Sequence, residues 1–117
     1  TITFGAIMQP LQFTIDGKAF DHHRINLTAR ADTLEVWDIV NPMAMDHPFH
    51  LHTFPFQVVS INGALIPYRA WKDVVNVPAN STVRIAIPFT KYTGSVMYHC
   101  HILEHEDLGM MGNLVVV

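Results

Sequence analysis

Two histidine clusters constrain this chain more than any other feature. The first is His47-Pro48-Phe49-His50-Leu51-His52, and the second, far downstream, is His99-Cys100-His101 followed by His105 and Met110. Six of the eight histidines and the only cysteine fall in these segments. One thiolate, nearby imidazoles and a thioether form the ligand set that selects copper for electron transfer, with two His and one Cys trigonal and a weak axial Met. Cys100, His105 and Met110 supply three of these ligands from one segment. The missing imidazole must come from elsewhere, so the fold has to bring the first cluster to the second.

Strand parity sorts the donors. Residues i and i+2 of a strand share a face and the residue between them takes the other. In Tyr98-His99-Cys100-His101 this sends His99 and His101 one way and the Cys100 sulfur the other. The same parity puts His50 and His52 on a common face, while His47, set apart by Pro48, can point elsewhere. Two groups result: His47 and His105 with Cys100, and a quartet of His50, His52, His99 and His101.

The rest of the chain reads as an all-β sandwich, because short β-branched and aromatic runs alternate with turn signals. Candidate strands are Ile2–Met8, Leu11–Ile15, Thr33–Val40, Phe56–Ile61, Asp73–Val77, Thr82–Phe89, Ser95–Cys100 and Met111–Val117. Asp16-Gly17 and Asn62-Gly63 are hairpin dipeptides. Pro78-Ala79-Asn80-Ser81 and Lys91-Tyr92-Thr93-Gly94 are further turns. Ile102–Leu108 is expected to be one short helix ending near Gly109. At 117 residues the chain fits a single domain. Half of its residues are hydrophobic and 15% charged, an apolar balance that implies surfaces meant to pack on other domains or subunits. A net charge of −3 without a basic run points away from nucleic acid and anionic membranes. No apolar stretch reaches membrane-spanning length. A lone cysteine excludes an internal disulfide. The chain begins Thr1-Ile2-Thr3, without an initiator Met or a signal peptide, and is expected to be an excised or processed piece.

The sequence His-Pro-Phe-His-Leu-His with a later His-Cys-His-Ile-Leu-Glu-His-Glu-Asp-Leu-Gly-Met-Met resembles the C-terminal cupredoxin domain of multicopper oxidases. It is most similar to bacterial laccases and the cuprous oxidases of copper-efflux systems. The resemblance runs from the Phe13-Thr14-Ile15-Asp16-Gly17 hairpin to the terminal strand. It implies a cupredoxin-like Greek-key β-sandwich over residues 1–117, with one short helix near the C-terminus. It further implies that His47, Cys100 and His105 bind a type 1 copper with Met110 axial, that His50 binds type 2 copper, and that His52, His99 and His101 bind the type 3 pair. Glu106 resembles the family's acidic residue that relays protons during dioxygen reduction. Thr53 departs from the pattern, standing where many members carry Gly.

The implied parent oxidises a small one-electron donor, phenolic or Cu(I), and reduces O2 to water, and it is periplasmic or secreted. The family takes about half of its cluster histidines from an N-terminal domain, so this chain supplies a half-site and is not expected to reduce O2 alone. Its expected partners are the parent's N-terminal cupredoxin domains, or further copies joined through the His50, His52, His99 and His101 face. A stand-alone blue copper carrier is the rival, and the quartet argues against it. Copper storage or sensing has only His and Met abundance behind it. Zinc also takes Cys and His, but the Met and the Cu(II) affinity order favour copper, and zinc leaves the quartet without a role. Met43 and Met45 are read as a hydrophobic rim rather than a Cu(I) site, and His22-His23 as surface loop residues. Trp71-Lys72-Asp73 also resembles a segment that recurs in the family near the type 1 region, and is read as packing and a hydrogen bond rather than chemistry.

Overall fold

Positive backbone angles mark where the chain reverses. Asp16 and Gly17 take φ of 54° and 78°, and Asn62 and Gly63 take 49° and 83°. Two successive positive-φ residues match the twist of a tight hairpin, which is why Asp-Gly and Asn-Gly stand there. The computed structural model describes residues 1–8, 11–18, 25–67, 70–90, 92–100 and 110–117. Their strands are β1 (Ile2–Met8), β2 (Leu11–Ile15), β3 (Leu27–Ala29), β4 (Thr33–Asn41), β5 (His47–Leu51), β6 (Gln57–Ile61), β7 (Ala64–Leu65), β8 (Val74–Val77), β9 (Ser81–Phe89), β10 (Gly94–Cys100) and β11 (Met111–Val116).

Two mixed sheets form a cupredoxin-like sandwich. One has six strands in the order β2-β1-β4-β9-β6-β7, and the other five in the order β3-β11-β10-β5-β8. The parallel pairs are β1 with β4 and β11 with β3; the remaining neighbours run antiparallel. Alternating burial follows from the period-2 side-chain pattern. In β9, Val83, Ile85, Ile87 and Phe89 point inward while Arg84 faces out. Rings meet across the two sheets. Phe4 of β1 lies 6.3 Å from Phe49 of β5, and Trp37 of β4 meets Tyr98 of β10 edge-on at 6.0 Å. Each such fully buried side chain contributes roughly 1.5–3 kcal/mol through the apolar area it removes from water.

Gly112 serves this packing directly. It stands opposite Tyr98 across the β10–β11 ladder, and a Cβ there would run into the Tyr98 ring. Burial pushes the Tyr98 phenol well above its ordinary range, and the Asp16 charge adds to the effect.

The expectation of a short C-terminal helix is corrected. Among the described residues every regular element is a strand and no helix occurs. Residues 102–108, to which the sequence assigns it, lie outside the described residues. The assignment was physically weak, because isolated helices shorter than about 12–15 residues are marginal in water. What is described is the base of that connection, where the Cys100 N–H donates to the Met110 carbonyl at 3.1 Å and closes β10 onto the start of β11.

Candidate metal centre

The two histidine clusters meet because β5 and β10 are antiparallel neighbours. Their register sets Phe49 opposite Cys100, His50 opposite His99, and Leu51 opposite Tyr98. Parity then does the sorting. His47, Phe49 and Leu51 of β5 face the interior with Tyr98 and Cys100 of β10, while half-buried His50 takes the outer face with His99.

On the inner side, His47 Nδ1 and Cys100 Sγ approach to 3.2 Å, and both residues are fully buried. Phe4 of the opposite sheet packs its ring 5.2 Å from the imidazole of His47. Met110 is fully buried and associates with His47. Its neighbour Met111 is half-buried and pairs with His99 across the ladder. Imidazole nitrogen, thiol sulfur and thioether sulfur therefore converge in a dry setting. A thiol becomes a metal ligand only as thiolate, and a naked thiolate is costly to bury without a cation. This soft and borderline donor set fits type 1 copper.

On the outer side, the ligand atoms of His50, His52 and His99 all lie within 4.8 Å of one another. The His50 ring stacks on His52 at 4.6 Å, and His99 sits 5.0 Å from each. His99 Nδ1 lies 3.0 Å from the Cys100 carbonyl. A carbonyl only accepts, so the hydrogen-bond network assigns the proton to Nδ1. The Nε2 lone pair of His99 then faces His52 Nε2 at 2.8 Å, with His52 donating. A metal taken here displaces that proton, and the carbonyl contact orients the ligand as an outer partner does. The three imidazoles fit a partial, histidine-only cluster site.

His101, His105 and Glu106 lie outside the described residues, as do His22 and His23. Met43 packs against the core and Met45 is about half exposed. Asp46 is structural: its oxygens accept from the Ala79 N–H at 2.9 Å and from Asn76 Nδ2 at 3.2 Å, and these bonds hold its carboxyl below the usual range. Trp71-Lys72-Asp73 takes part in packing and in backbone hydrogen bonds. These residues line a cavity of about 320 Å³ beside His50, Thr53 and Phe54, on the triad side. The Asp73 carbonyl accepts from the Leu51 N–H at 3.1 Å, and Lys72 pairs with Phe56 through two backbone bonds of 2.8 Å.

Asn41 escapes sequence reasoning altogether. It is fully buried, and its amide donates to the carbonyls of Met45, Val77 and Pro78 while its oxygen accepts from the Met43 N–H. One side chain thus clamps the loop leading into His47 onto the β8–β9 turn. Two of its acceptors come from 36 and 37 residues away, and no local pattern signals them.

The sequence profile of the multicopper oxidase family matches residues 2–117. A multicopper oxidase of Staphylococcus haemolyticus is 44% identical over 109 residues, covering 88% of this chain and 24% of that protein. A laccase of Bacillus subtilis is 36% identical over 110 residues, covering 77% and 21% respectively. Among solved structures, a multicopper oxidase from Campylobacter jejuni, described as a metallo-oxidase, superposes with a TM-score of 0.89. It is 35% identical, and the match covers 98% of this chain and 29% of that one. A laccase from Pediococcus acidilactici gives a TM-score of 0.88 at 40% identity, over 99% of this chain and 26% of that one. The chain spans about a quarter of the length of these relatives.

Proposed function

The chain belongs to the multicopper oxidase family, and from that premise we propose that residues 1–117 form the C-terminal cupredoxin domain of such an oxidase, of the laccase or cuprous oxidase type. The observation that carries the reading is the placement of two ligand sets on opposite faces of one strand. Cys100 faces inward with His47 and Met110, and its neighbour His99 faces outward with His50 and His52.

In this reading His47, Cys100, His105 and Met110 hold type 1 copper. His50 holds type 2, and His52, His99 and His101 hold the type 3 pair. Copper bound at these residues supplies one-electron redox chemistry. The chain itself excludes water from the inner set by packing Phe4 and Phe49 around it. It links the two sets through the single peptide unit joining His99 to Cys100. It fixes the His99 ring through the Cys100 carbonyl. Glu106 holds a proton for the reduction of O2 to water. The donor is a small one-electron reductant, a phenol or Cu(I), and the parent works in the periplasm or outside the cell.

Because the chain supplies half of the cluster ligands, the remaining histidines come from N-terminal cupredoxin domains of the parent or from another copy. A stand-alone blue copper carrier needs only the inner set, and the triad would then be idle. Copper content together with a visible spectrum tests the reading. Cu(II)-loaded protein is expected to show the intense blue band of thiolate-to-copper charge transfer. A colourless loaded protein with Cys100 still reduced would overturn it.

A further inference from the structure

Thr53 follows the last histidine of the first cluster, and its backbone sits at φ 71°. The Phe54 N–H donates to the His52 carbonyl at 2.8 Å across it. A bond from residue i+2 to residue i over a positive-φ centre is the rarer and strained form of γ-turn. A β-branched residue is a true outlier at such an angle, because its Cβ substituents crowd the backbone. Something must hold it there, and Phe54 does. It is 2% exposed, with its ring 5.0 Å from Phe89 and 5.8 Å from Tyr92. The chain has to turn from outward His52 to buried Phe54 within one residue.

The same turn fixes His52 from both sides. Its N–H donates to the Met97 carbonyl at 3.0 Å, extending the β5–β10 ladder one residue beyond Leu51, and its own carbonyl is held by the turn. The imidazole is then set against His99 at 2.8 Å. Glycine would also allow positive φ, but over a broad range of conformations. Threonine, once Phe54 holds it at positive φ, has far fewer accessible geometries than glycine.

We infer that Thr53 is a positioning residue for the metal triad: its side chain confines the γ-turn to one geometry and so holds the His52 imidazole on His99 before metal arrives. The inference rests on the triad being a metal site. Its gain is preorganisation, since a ligand fixed in its bound orientation loses less freedom on binding. Thr53→Gly frees the turn without removing any donor.

The test uses Zn(II) as the probe, in a Cys100→Ala background that silences the inner set, with affinity read by chelator competition and the order of the His52 ring read by NMR. Thr53→Gly is expected to weaken Zn(II) binding about five- to tenfold and to broaden the His52 ring signals, with no fall in melting temperature. Thr53→Asn, which carries a Cβ and tolerates positive φ, is expected to bind within about twofold of the parent. His52→Ala separates the two claims. If His52→Ala weakens binding but Thr53→Gly does not, the role of Thr53 is overturned while the triad stands. If His52→Ala binds as tightly as the parent, the triad itself fails as a metal site. Equal losses in Thr53→Gly and Thr53→Asn, or a loss that only tracks unfolding, also overturn the inference.

Discussion

Cys100 and His99 are consecutive residues of β10 that serve opposite faces of the same sheet, with the Cys100 carbonyl accepting from His99 Nδ1 at 3.0 Å. One peptide unit therefore separates a buried thiol set from a half-buried imidazole set. Removing one side chain should leave the other set intact.

Cys100→Ser is accordingly expected to abolish the blue band and spare the triad. Serine is close in volume, and the β fold, followed by far-UV circular dichroism, should persist. Zn(II) affinity at His50, His52 and His99 should stay within about twofold. A blue Cys100→Ser protein would remove the thiolate from the site.

Burial favours Met110 over Met111 as the axial ligand of the proposed type 1 site. Met110 is fully buried on the side of Cys100, whereas Met111 pairs with His99 on the ladder. Met110→Leu should keep the blue band and raise the reduction potential, because losing a weak thioether donor destabilises Cu(II) relative to Cu(I). Met111→Leu should leave the potential unchanged. The reverse pattern in redox titration would shift the ligand register by one residue.

Much of this was legible in the sequence because it depends on period and parity. The alternation in Tyr98-His99-Cys100 separated the two donor sets, and Asp16-Gly17 and Asn62-Gly63 placed two hairpins through their positive φ. β5 itself was not among the candidate strands, although the first cluster lies on it. Pro48 lacks a ladder donor and argues against a strand, yet it stands just beyond the β10 pairing, which ends at Phe49. β3 and β7 have three and two residues, too short to show a period. Trp71-Lys72-Asp73 was read as packing and a hydrogen bond, and the partners of those bonds, Leu51 and Phe56, are set by tertiary pairing that no local pattern shows. Met110 was legible through the resembled family's spacing after Cys100 and His105, whereas Asn41 could not be found, its acceptors being remote.

Gly112 is required by the ring beneath it rather than by its backbone angle. Gly112→Ala drives a Cβ into Tyr98, and overpacking of this kind costs roughly 1–3 kcal/mol. Urea denaturation should show a lower midpoint with an unchanged slope. Because Tyr98 is two residues from Cys100, the blue band should shift or weaken in parallel. A Gly112→Ala protein as stable as wild type would mean that the Tyr98 ring moves freely.

Acid stability carries a sign that the outer face of the six-stranded sheet sets. Arg84 Nε donates to Asp38 Oδ1 at 2.8 Å, and this bond, with the Arg84 charge, holds the Asp38 carboxyl below its ordinary value. A depressed folded pKa contributes stability above the unfolded pKa and loses it as pH falls through the folded one. Both partners are substantially exposed, so solvent screening keeps the contribution small. Asp38→Asn should therefore lower the urea midpoint slightly at pH 6 and leave it unchanged near pH 2. Equal destabilisation at both pH values would assign the effect to packing.

The triad has consequences for assembly. His50, His52 and His99 bring three imidazoles within 4.8 Å on a face that is only partly buried at His50 and His52. These three are the imidazoles that meet among the described residues, and even with His101 the proposed set is about half of what a trinuclear cluster requires. The chain alone should therefore show no sustained O2 uptake with a phenolic or Cu(I) donor. The vacant coordination positions should instead be filled by imidazoles of a second copy, because a bound metal lowers the entropic cost of bringing two such faces together. Sedimentation velocity at equimolar Zn(II) is expected to show a species larger than the monomer, reversed by chelator. The His50→Ala/His52→Ala double variant should remain monomeric at every metal load. Association that survives chelator and persists in the double variant would assign the contact to apolar surface rather than to metal bridging. Sustained O2 reduction by a proven monomer would show that the three imidazoles and their neighbours complete a cluster without a partner.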